Sequence, residues 1–149
     1  MSFDQQLNTA KRLFLDTAPM IYYVEENPRY VALVETMFAR LDAGDFQAVT
    51  SPVTLAECLI VPYRNSNAEL QQAFIDLITN GNHTSFITID EFVGAQAAQL
   101  RARYNLGLAD ALQFAVALEA ACDTFLTNDI SLKRVTELKV IVLDEILEP

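Results

Sequence analysis

The chain has 149 residues, of which 52% are hydrophobic and 20% are charged, and it contains four glycines and five prolines. This length fits a single domain, 1–149, and this composition excludes a disordered tail, a collagen-like chain and a low-complexity linker. Ten lysines and arginines stand against twenty acidic residues, for a net charge of −10. That balance excludes a broad basic face, so any nucleic-acid chemistry would need a local site that brings its own cations.

The cysteines and the histidine exclude two further classes of protein. Cys58 and Cys122 lie far apart, form no CxxC pair and have only His83 as a possible companion ligand. Zinc fingers are therefore excluded and a disulfide framework is disfavoured, so two free thiols in a reducing compartment are expected. Residues 1–15 contain no apolar stretch long enough for a signal peptide, and polar residues interrupt the most apolar segment, 106–126. We expect a cytoplasmic protein without membrane contact.

The first half of the chain predicts two strands and four helices. Pro28 ends the first of these helices, Ser51 and Pro52 supply a cap and a first helical residue, and Asn67 caps a further helix. In chain order, the predicted elements are a strand at 12–15, a helix through 24, a helix at 30–41, a strand at 46–50, a helix at 52–63 and a helix between 67 and 80.

The second half continues the alternation of strands and helices. It predicts a strand at 85–89, a helix from Asp90 to 104, the most buried helix at 108–121, and strands at 124–126 and 140–143. Short apolar strands that alternate with helices indicate an α/β fold with a central parallel sheet of about five strands and helices on both faces. The sites of such sheets lie at the carboxyl ends of the strands, where the chain direction switches.

Acidic residues lie at or near these strand ends and helix starts. They are Asp16, Glu57, Asp90, Asp110, Asp129 and Asp144. Helix capping is the ordinary role of an acid in such a position, because its oxygens accept hydrogen bonds from unpaired helix amides. Asp90 fits that role well, and we expect Asp144, near the end of the chain, to face solvent.

Asp16 and Glu57 fit capping less well. Asp16 lies one residue before the natural cap, which would be Thr17 or the residue after it. A helix capped by Ser51 places Glu57 six residues beyond the cap, outside a capping box, whereas the rival start with Thr54 as the cap would match that box.

Asp110 and Asp129 remain open between two roles. Asp110 could cap a helix that begins at Ala111, with Gln113 as its reciprocal partner. An ionised carboxylate in so apolar a surround is nevertheless costly unless it is paired or bound to a cation. Either Asn128 or Asp129 could cap the segment that follows the fourth strand.

A parallel sheet would let Asp16, Glu57, Asp110 and Asp129 face one crevice. Two unit charges 4 Å apart repel by about 4 kcal/mol at an effective dielectric of about 20, so such a pocket would raise carboxyl pKa values or recruit cations. Ligation by oxygen alone suits Mg²⁺ or Mn²⁺. Such ions can activate a water and clamp the attacking and leaving oxygens of a phosphodiester.

Four stretches of the chain resemble the motifs of PIN-domain ribonucleases. They are LFLDT at 13–17, SPVTLAE at 51–57, LADALQFA at 108–115 and FLTND at 125–129. Their acids follow the family's order, Asp, Glu, Asp, Asp, and the resemblance extends over nearly the whole chain. The size and the strand–helix rhythm are also similar to those of the VapC-like toxins of bacterial toxin–antitoxin pairs.

This resemblance implies a Mg²⁺- or Mn²⁺-dependent endoribonuclease. By motif match, Asp16 and Asp110 would be the most direct metal ligands, and Glu57 and Asp129 would complete the acidic pocket directly or through water. Thr127 would occupy the family's hydroxyl position and orient a carboxylate or a water.

The resemblance also implies partners. These are a single-stranded or structured RNA substrate, a second copy of the chain in a homodimer, and a cognate antitoxin whose basic or aromatic segment covers the groove. The family's helical arm for antitoxin contact would fall at 22–41. Ala18 departs from the family, which often has a small polar residue there, and relatives include RNA-processing nucleases that are not toxins.

Other side chains could contact RNA. Arg64, Arg101, Arg103, Lys133 and Arg134 form the local clusters of positive charge, either as solvated helix ends and ion pairs or as phosphate contacts. Tyr22, Tyr23 and Tyr63 could stack on unpaired bases, although packing in a core or dimer seam is the more ordinary role for Tyr22. His83 is expected in a surface loop.

Two other functions are compatible with acids at strand ends: a receiver-type phosphoacceptor domain and an interaction module. A receiver-type phosphoacceptor domain needs paired acids after the first strand and a lysine after the last, whereas here only Asp16 follows the first strand and Lys139 precedes the last. A catalytically silent PIN-fold interaction module would bind a partner without cleaving it. The presence of all four pocket acids argues against such a module, because an interaction surface does not need them.

Overall fold

The computed structural model describes residues 1–148, and its elements follow the alternation that the sequence predicts. In chain order they are α1 (Phe3–Asn8), β1 (Arg12–Leu15), α2 (Thr17–Val24), α3 (Val31–Asp42), β2 (Gln47–Thr50), α4 (Pro52–Arg64), α5 (Ala68–Asn80), β3 (Thr84–Phe86), α6 (Glu91–Tyr104), α7 (Leu108–Glu119), β4 (Thr124–Thr127), a 3-10 helix (Ile130–Arg134), β5 (Lys139–Val142) and α8 (Leu143–Leu147).

The five strands form one parallel sheet in the order β3-β2-β1-β4-β5. Phe14 of β1 pairs with Val49 of β2 on one side and with Phe125 of β4 on the other. The chain thus adds strands to one side of β1 and then crosses to the other, which makes the β1–β4 boundary the switch point of the sheet. The predicted α/β architecture is confirmed.

Helices cover both faces of the sheet because the side chains of its strands alternate in direction. Leu13 and Leu15 of β1 join a core built with α1 to α5 and α8, whereas Phe14 joins a second core under α6 and α7. In that second core, Phe125 stacks between Phe14 and Phe114, with ring centroids 5.0 and 4.0 Å away. The prediction of helices on both faces is therefore confirmed.

Several boundaries differ from those predicted. The third strand ends at Phe86 rather than at 89, and Leu143 begins α8 instead of ending the fifth strand. The helix α1 was not predicted, although Ser2 and Gln5 form a capping box at its start. The short α8 and the 3-10 helix were also missed, because segments of five residues carry too little periodicity to be recognised.

Cys58 and Cys122 carry free thiols, as predicted. Both side chains are buried, and burial raises the pKa of each thiol to about 12. His83 is exposed in the turn before β3. Within residues 1–148, the longest and most apolar helices fall short of what a membrane crossing requires.

Candidate active site

An open pocket of about 280 Å³ lies at the carboxyl ends of β1 and β4. Its lining contains all five residues that the sequence singled out, which are Asp16, Glu57, Asp110, Thr127 and Asp129. The remaining lining residues are Thr17, Ala18, Ile21, Tyr22 and Asn128. The structure therefore brings together acids from four separate segments of the chain.

Asp16 is the innermost carboxylate of the pocket. Its Oδ2 accepts a hydrogen bond of 2.7 Å from the Thr127 hydroxyl, and its Oδ1 accepts one of 3.5 Å from Gln113 Nε2. Burial raises the pKa of this carboxyl, and the bond from Thr127 opposes that rise. Asp16 occupies the cap position of α2, so the prediction of Thr17 or Ala18 as the cap was wrong, but its side chain makes no capping bond.

A buried polar network lies beneath Asp16. Ser51 caps α4, as predicted, and its hydroxyl donates to Gln113 Oε1. Gln113 Nε2 donates to Thr54 Oγ1 at 2.6 Å, and Thr54 in turn donates to the Leu15 carbonyl at 3.2 Å. The rival helix start at Thr54 was therefore wrong, and Gln113 supports the floor of the site instead of a helix cap.

Glu57 reaches the pocket from the exposed side of α4. The Thr17 hydroxyl donates a hydrogen bond of 2.6 Å to Glu57 Oε1. The first residue of α2 therefore orients an acid that is 40 residues away in sequence. Sequence reasoning did not assign Thr17 this role, since only the tertiary fold shows which side chain it meets.

Asp110 lies half-buried in the first turn of α7. The helix begins at Leu108 after Gly107, so the prediction that Asp110 caps a helix from Ala111 was wrong. Burial first, and then the charges of Asp16, Asp129 and Glu57, raise the pKa of the Asp110 carboxyl to about 6. The charge of Arg134 acts in the opposite direction. The neighbouring carboxylates therefore add to burial in disfavouring the charged form of Asp110.

Asp129 combines a capping role with its place in the pocket. Its Oδ1 accepts hydrogen bonds from the backbone N–H and the hydroxyl of Ser131, at 2.9 and 2.7 Å, which fixes the start of the 3-10 helix. Its own N–H donates to Thr127 Oγ1 at 3.2 Å. Of the two caps that the sequence left open at this point, Asp129 is the one that forms.

The two acids that the sequence set aside lie outside the pocket lining. Asp90 caps α6 by accepting from the Val93 N–H at 2.9 Å, as predicted. The side chain of Asp144 is 49% exposed and accepts from the Tyr30 hydroxyl at 2.7 Å. Both therefore serve as structural hydrogen-bond acceptors.

The cations of the predicted positive clusters have different roles. Lys133 pairs with Glu145 at 2.8 Å and Arg103 with Glu137 at 3.4 Å, which fits the expectation of ion pairs. Arg134 donates to the Asn105 carbonyl at 3.1 Å.

The donor chemistry of the pocket fits a hard divalent cation. Within residues 1–148, no group of three or more His, Cys, Asp or Glu side chains is close enough together to hold one metal ion. Mg²⁺, however, is commonly bound by one or two carboxylates and several waters. None of the four pocket acids forms an ion pair within the same residues. The pocket therefore has oxygen donors and uncompensated negative charge.

A five-stranded parallel sheet with an acidic pocket at its switch point defines the class of this protein as an α/β fold with a carboxylate-lined site. The family model described as PIN domain matches residues 13–138, and the chain belongs to that family. The resemblance noted from the four sequence motifs is confirmed.

Solved structures with the same fold include toxin–antitoxin proteins from several bacteria. VapBC2 of Rickettsia felis, bound to a DNA fragment from its promoter, is 19% identical with a TM-score of 0.65, over 88% of this chain and 98% of that one. VapC20 of Mycobacterium tuberculosis, a sarcin–ricin loop cleaving toxin, is 16% identical with a TM-score of 0.67, over 85% and 98%.

A third similar structure is the DNA-bound VapBC of Salmonella typhimurium, which is 15% identical with a TM-score of 0.64, over 89% of this chain and 98% of that chain. No curated protein matches the sequence. At these identities, the structural likeness shows a common fold.

Proposed function

We propose that this chain is a Mg²⁺- or Mn²⁺-dependent endoribonuclease and the toxin of a toxin–antitoxin pair. The observation that carries the proposal is the convergence of Asp16, Glu57, Asp110 and Asp129 on one pocket without a compensating ion pair among the residues described. Membership of the PIN family and the likeness to VapC20, a sarcin–ricin loop cleaving toxin, support RNA as the substrate.

Each pocket residue has a distinct task in this proposal. Asp16 and Asp110 would hold the metal, with Glu57 and Asp129 completing the site directly or through water. A bound divalent ion would lower the pKa of an attached water and offset charge on the scissile phosphate. Thr127 occupies one oxygen of Asp16, and Thr17 occupies one oxygen of Glu57, so both carboxylates are held in fixed orientations.

Cleavage of a labelled RNA by the purified protein tests this proposal. We expect cleavage with Mg²⁺ or Mn²⁺, none with EDTA, and a loss of at least about a hundredfold in Asp16→Asn and Asp110→Asn, because an amide is a poor substitute for a carboxylate ligand. Asp90→Asn is the matched control, since Asn caps a helix about as well as Asp. Full activity in both pocket variants would refute the site assignment.

The receiver-type alternative does not fit the topology. Receiver domains have the strand order 2-1-3-4-5, whereas this sheet has β1 at its centre. Lys139 is the first residue of β5, so it lies at the end of the strand opposite the pocket. The silent interaction module remains the alternative that the RNA assay separates from catalysis.

A groove along α2, α3 and α5 supports an antitoxin partner. Three adjoining hollows of about 550, 370 and 260 Å³ lie between the α2–α3 segment and α5, and all three contain Ala73. Their apolar lining includes Tyr23, Val24 and Leu77. Acidic side chains border the groove at Glu26, Glu35, Asp42, Glu69 and Asp76. A basic amphipathic segment has the complementary chemistry.

The groove gives the antitoxin proposal its own test. Ala73 is exposed, so Ala73→Arg should fold normally while placing a bulky cation in the groove. We expect the protein encoded by the neighbouring reading frame to inhibit RNA cleavage by the wild type, and this variant to escape inhibition with unchanged cleavage. Equal inhibition of both proteins would contradict the groove as the binding surface.

The homodimer expected from the family resemblance remains a prediction. Ile60, Val61 and Tyr63 of α4 are about half-exposed and offer an apolar surface for a second copy. Light scattering should give a mass of twice 16.6 kDa for the purified chain, and a mass of 16.6 kDa would contradict the dimer.

A further inference from the structure

An aromatic cluster borders the acidic pocket, and the chemistry of the acids does not account for it. The ring of Tyr22 stacks on that of Tyr30, with centroids 4.1 Å apart and planes inclined by 12°. The Arg29 guanidinium lies 5.6 Å from the centroid of Tyr30. Of these three residues, Tyr22 lines the pocket together with Asp16 and Asp110.

Hydrogen bonds fix the orientation of both rings. The Tyr22 hydroxyl accepts from Asn128 Nδ2 at 3.0 Å, and Asn128 Oδ1 accepts from the Asp144 N–H at 2.8 Å. The Tyr30 hydroxyl donates to Asp144 Oδ1 at 2.7 Å. The cluster is thus tied to the segment after β4 and to α8, so Tyr22 is held in one orientation before any substrate arrives.

Tyr22 differs from the aromatic residues whose only role is packing. Phe14, Phe114 and Phe125 are fully buried, whereas Tyr22 keeps part of its surface accessible. Tyr23 stacks on Phe38 and lines the groove by α5 instead of the pocket. The partial exposure of Tyr22 and its place in the pocket lining indicate a ring that is available to a ligand.

We propose that Tyr22 forms a base-stacking subsite, in which the nucleobase next to the scissile phosphate packs against its ring. This inference rests on the proposed RNA cleavage and adds a recognition element to it. Unpaired RNA bases stack on aromatic side chains with little dependence on sequence. A ring that is already ordered loses little conformational entropy when it binds.

The negative charge of the chain makes a contact that does not depend on charge more important for RNA binding. A net charge of −10 and an acidic pocket give the RNA backbone little attraction apart from bound metal. Stacking is not weakened by this negative charge, because it depends on contact between neutral ring faces. The Tyr22 ring therefore supplies affinity that a basic groove provides in other RNA-binding proteins.

Three variants separate the ring from its hydroxyl. Tyr22→Leu removes the aromatic face, Tyr22→Phe retains it without the bond to Asn128, and Phe92→Leu removes an exposed ring of α6 outside the pocket as the matched control. With a short RNA that spans a mapped cleavage site, we expect KM to rise about tenfold in Tyr22→Leu, with little change in kcat. Tyr22→Phe and Phe92→Leu should remain within about threefold of the wild type.

An abasic substrate distinguishes base stacking from a structural role of Tyr22. The experiment uses a set of RNAs, each of which lacks the base at one position around the cleavage site. For one of these RNAs, we expect the KM of the wild type to rise about tenfold. The same RNA should cost Tyr22→Leu no further loss, because the contact is already absent.

The outcomes discriminate between the two proposals. The subsite is refuted, while RNA cleavage stands, if Tyr22→Leu and the missing base raise KM independently at every position, so that their effects multiply. It is also refuted if Tyr22→Phe raises KM as much as Tyr22→Leu does. If the wild type does not cleave RNA at all, the proposed function fails and the subsite fails with it.

Discussion

Folding disfavours the charged form of the Asp110 carboxyl. Burial and three neighbouring acids raise its pKa from 3.8 to about 6. A carboxyl with a raised pKa in the folded state takes up a proton there more readily than in the unfolded chain. The folded protein is therefore the more protonated state between about pH 4 and pH 6, and its stability falls as the pH rises through that window.

Asp110→Asn should abolish this part of the pH dependence. In EDTA, we expect the melting temperature of the variant to exceed that of the wild type near pH 7.5, because the amide carries no charge, and the difference to shrink near pH 4.5. Differential scanning calorimetry at the two pH values measures both quantities. A variant whose stability differs from that of the wild type by the same amount at each pH would contradict the assigned shift.

Gln113 is the residue on which the polar floor of the site depends. Its amide accepts from Ser51 and donates to Thr54 and Asp16, and all four side chains are buried. Loss of this amide would leave the buried Ser51 hydroxyl without an acceptor and would remove one hydrogen bond each from Thr54 and Asp16. A buried donor left unsatisfied costs about 1–3 kcal/mol, and each further lost bond adds about 1 kcal/mol. Gln113 therefore links the cap of α4 to the innermost acid.

Gln113→Leu should lower the free energy of unfolding by about 3 kcal/mol, as measured by urea denaturation. Gln96 of α6 offers a matched control, because its buried Oε1 has no hydrogen-bond partner among residues 1–148. Gln96→Leu should be neutral or stabilising. Equal losses of unfolding free energy in the two variants would show that the hydrogen bonds of Gln113 do not stabilise the fold.

The acids of the site could be predicted from sequence, but their supports could not. Asp16 and Asp110 stand out because a charge in an apolar segment needs an explanation. Gln113 interrupts an apolar helix in the same way, yet its partners lie 59 to 97 residues away and emerge only from the fold. Thr17 likewise meets Glu57 only after α2 and α4 have packed together.

Gly81, at the end of α5, lies where the backbone leaves no room for a side chain. A Cβ added to Gly81 would stand 2.5 Å from the Leu77 carbonyl oxygen, which is closer than real contacts allow. A Cβ added to Gly107, at the start of α7, would be 3.7 Å from Asp110 Oδ2, an ordinary contact. Neither glycine has a positive φ, so steric room alone distinguishes the two positions.

Gly81→Ala should therefore destabilise the fold by about 1–3 kcal/mol. Gly107→Ala should be neutral or should gain up to about 1 kcal/mol, because alanine restricts the unfolded chain. Thermal denaturation of both variants measures the contrast. A Gly81→Ala protein as stable as the wild type would show that the end of α5 can relax without cost.

Strand and helix identities were easier to predict than their limits. β1 and its neighbours are short apolar runs between polar turns, and that pattern identifies buried parallel strands. The predicted third strand, 85–89, was too long, because β3 is an edge strand that pairs only with β2 and ends at Phe86. Pairing partners, which the sequence does not specify, decide where such a strand stops.

The topology of the whole molecule explains why distant acids meet. Because β1 lies between β2 and β4, the segments that follow β1 and β4 emerge side by side, and the starts of α4 and α7 face the same edge. Alternating strands and helices were sufficient to predict this convergence. The sequence did not specify the strand order, which is set by the packing of the two cores on the sheet.

The proposed cleavage of RNA requires a pocket that binds a divalent cation, and calorimetric titration with Mn²⁺ tests this most directly. We expect saturable binding to the wild type and to Asp90→Asn, and its loss in a double variant with Asp16→Asn and Asp110→Asn that retains a cooperative melting transition. If the wild type releases no heat of binding at millimolar Mn²⁺, or if the double variant binds as the wild type does, the pocket is not a metal site.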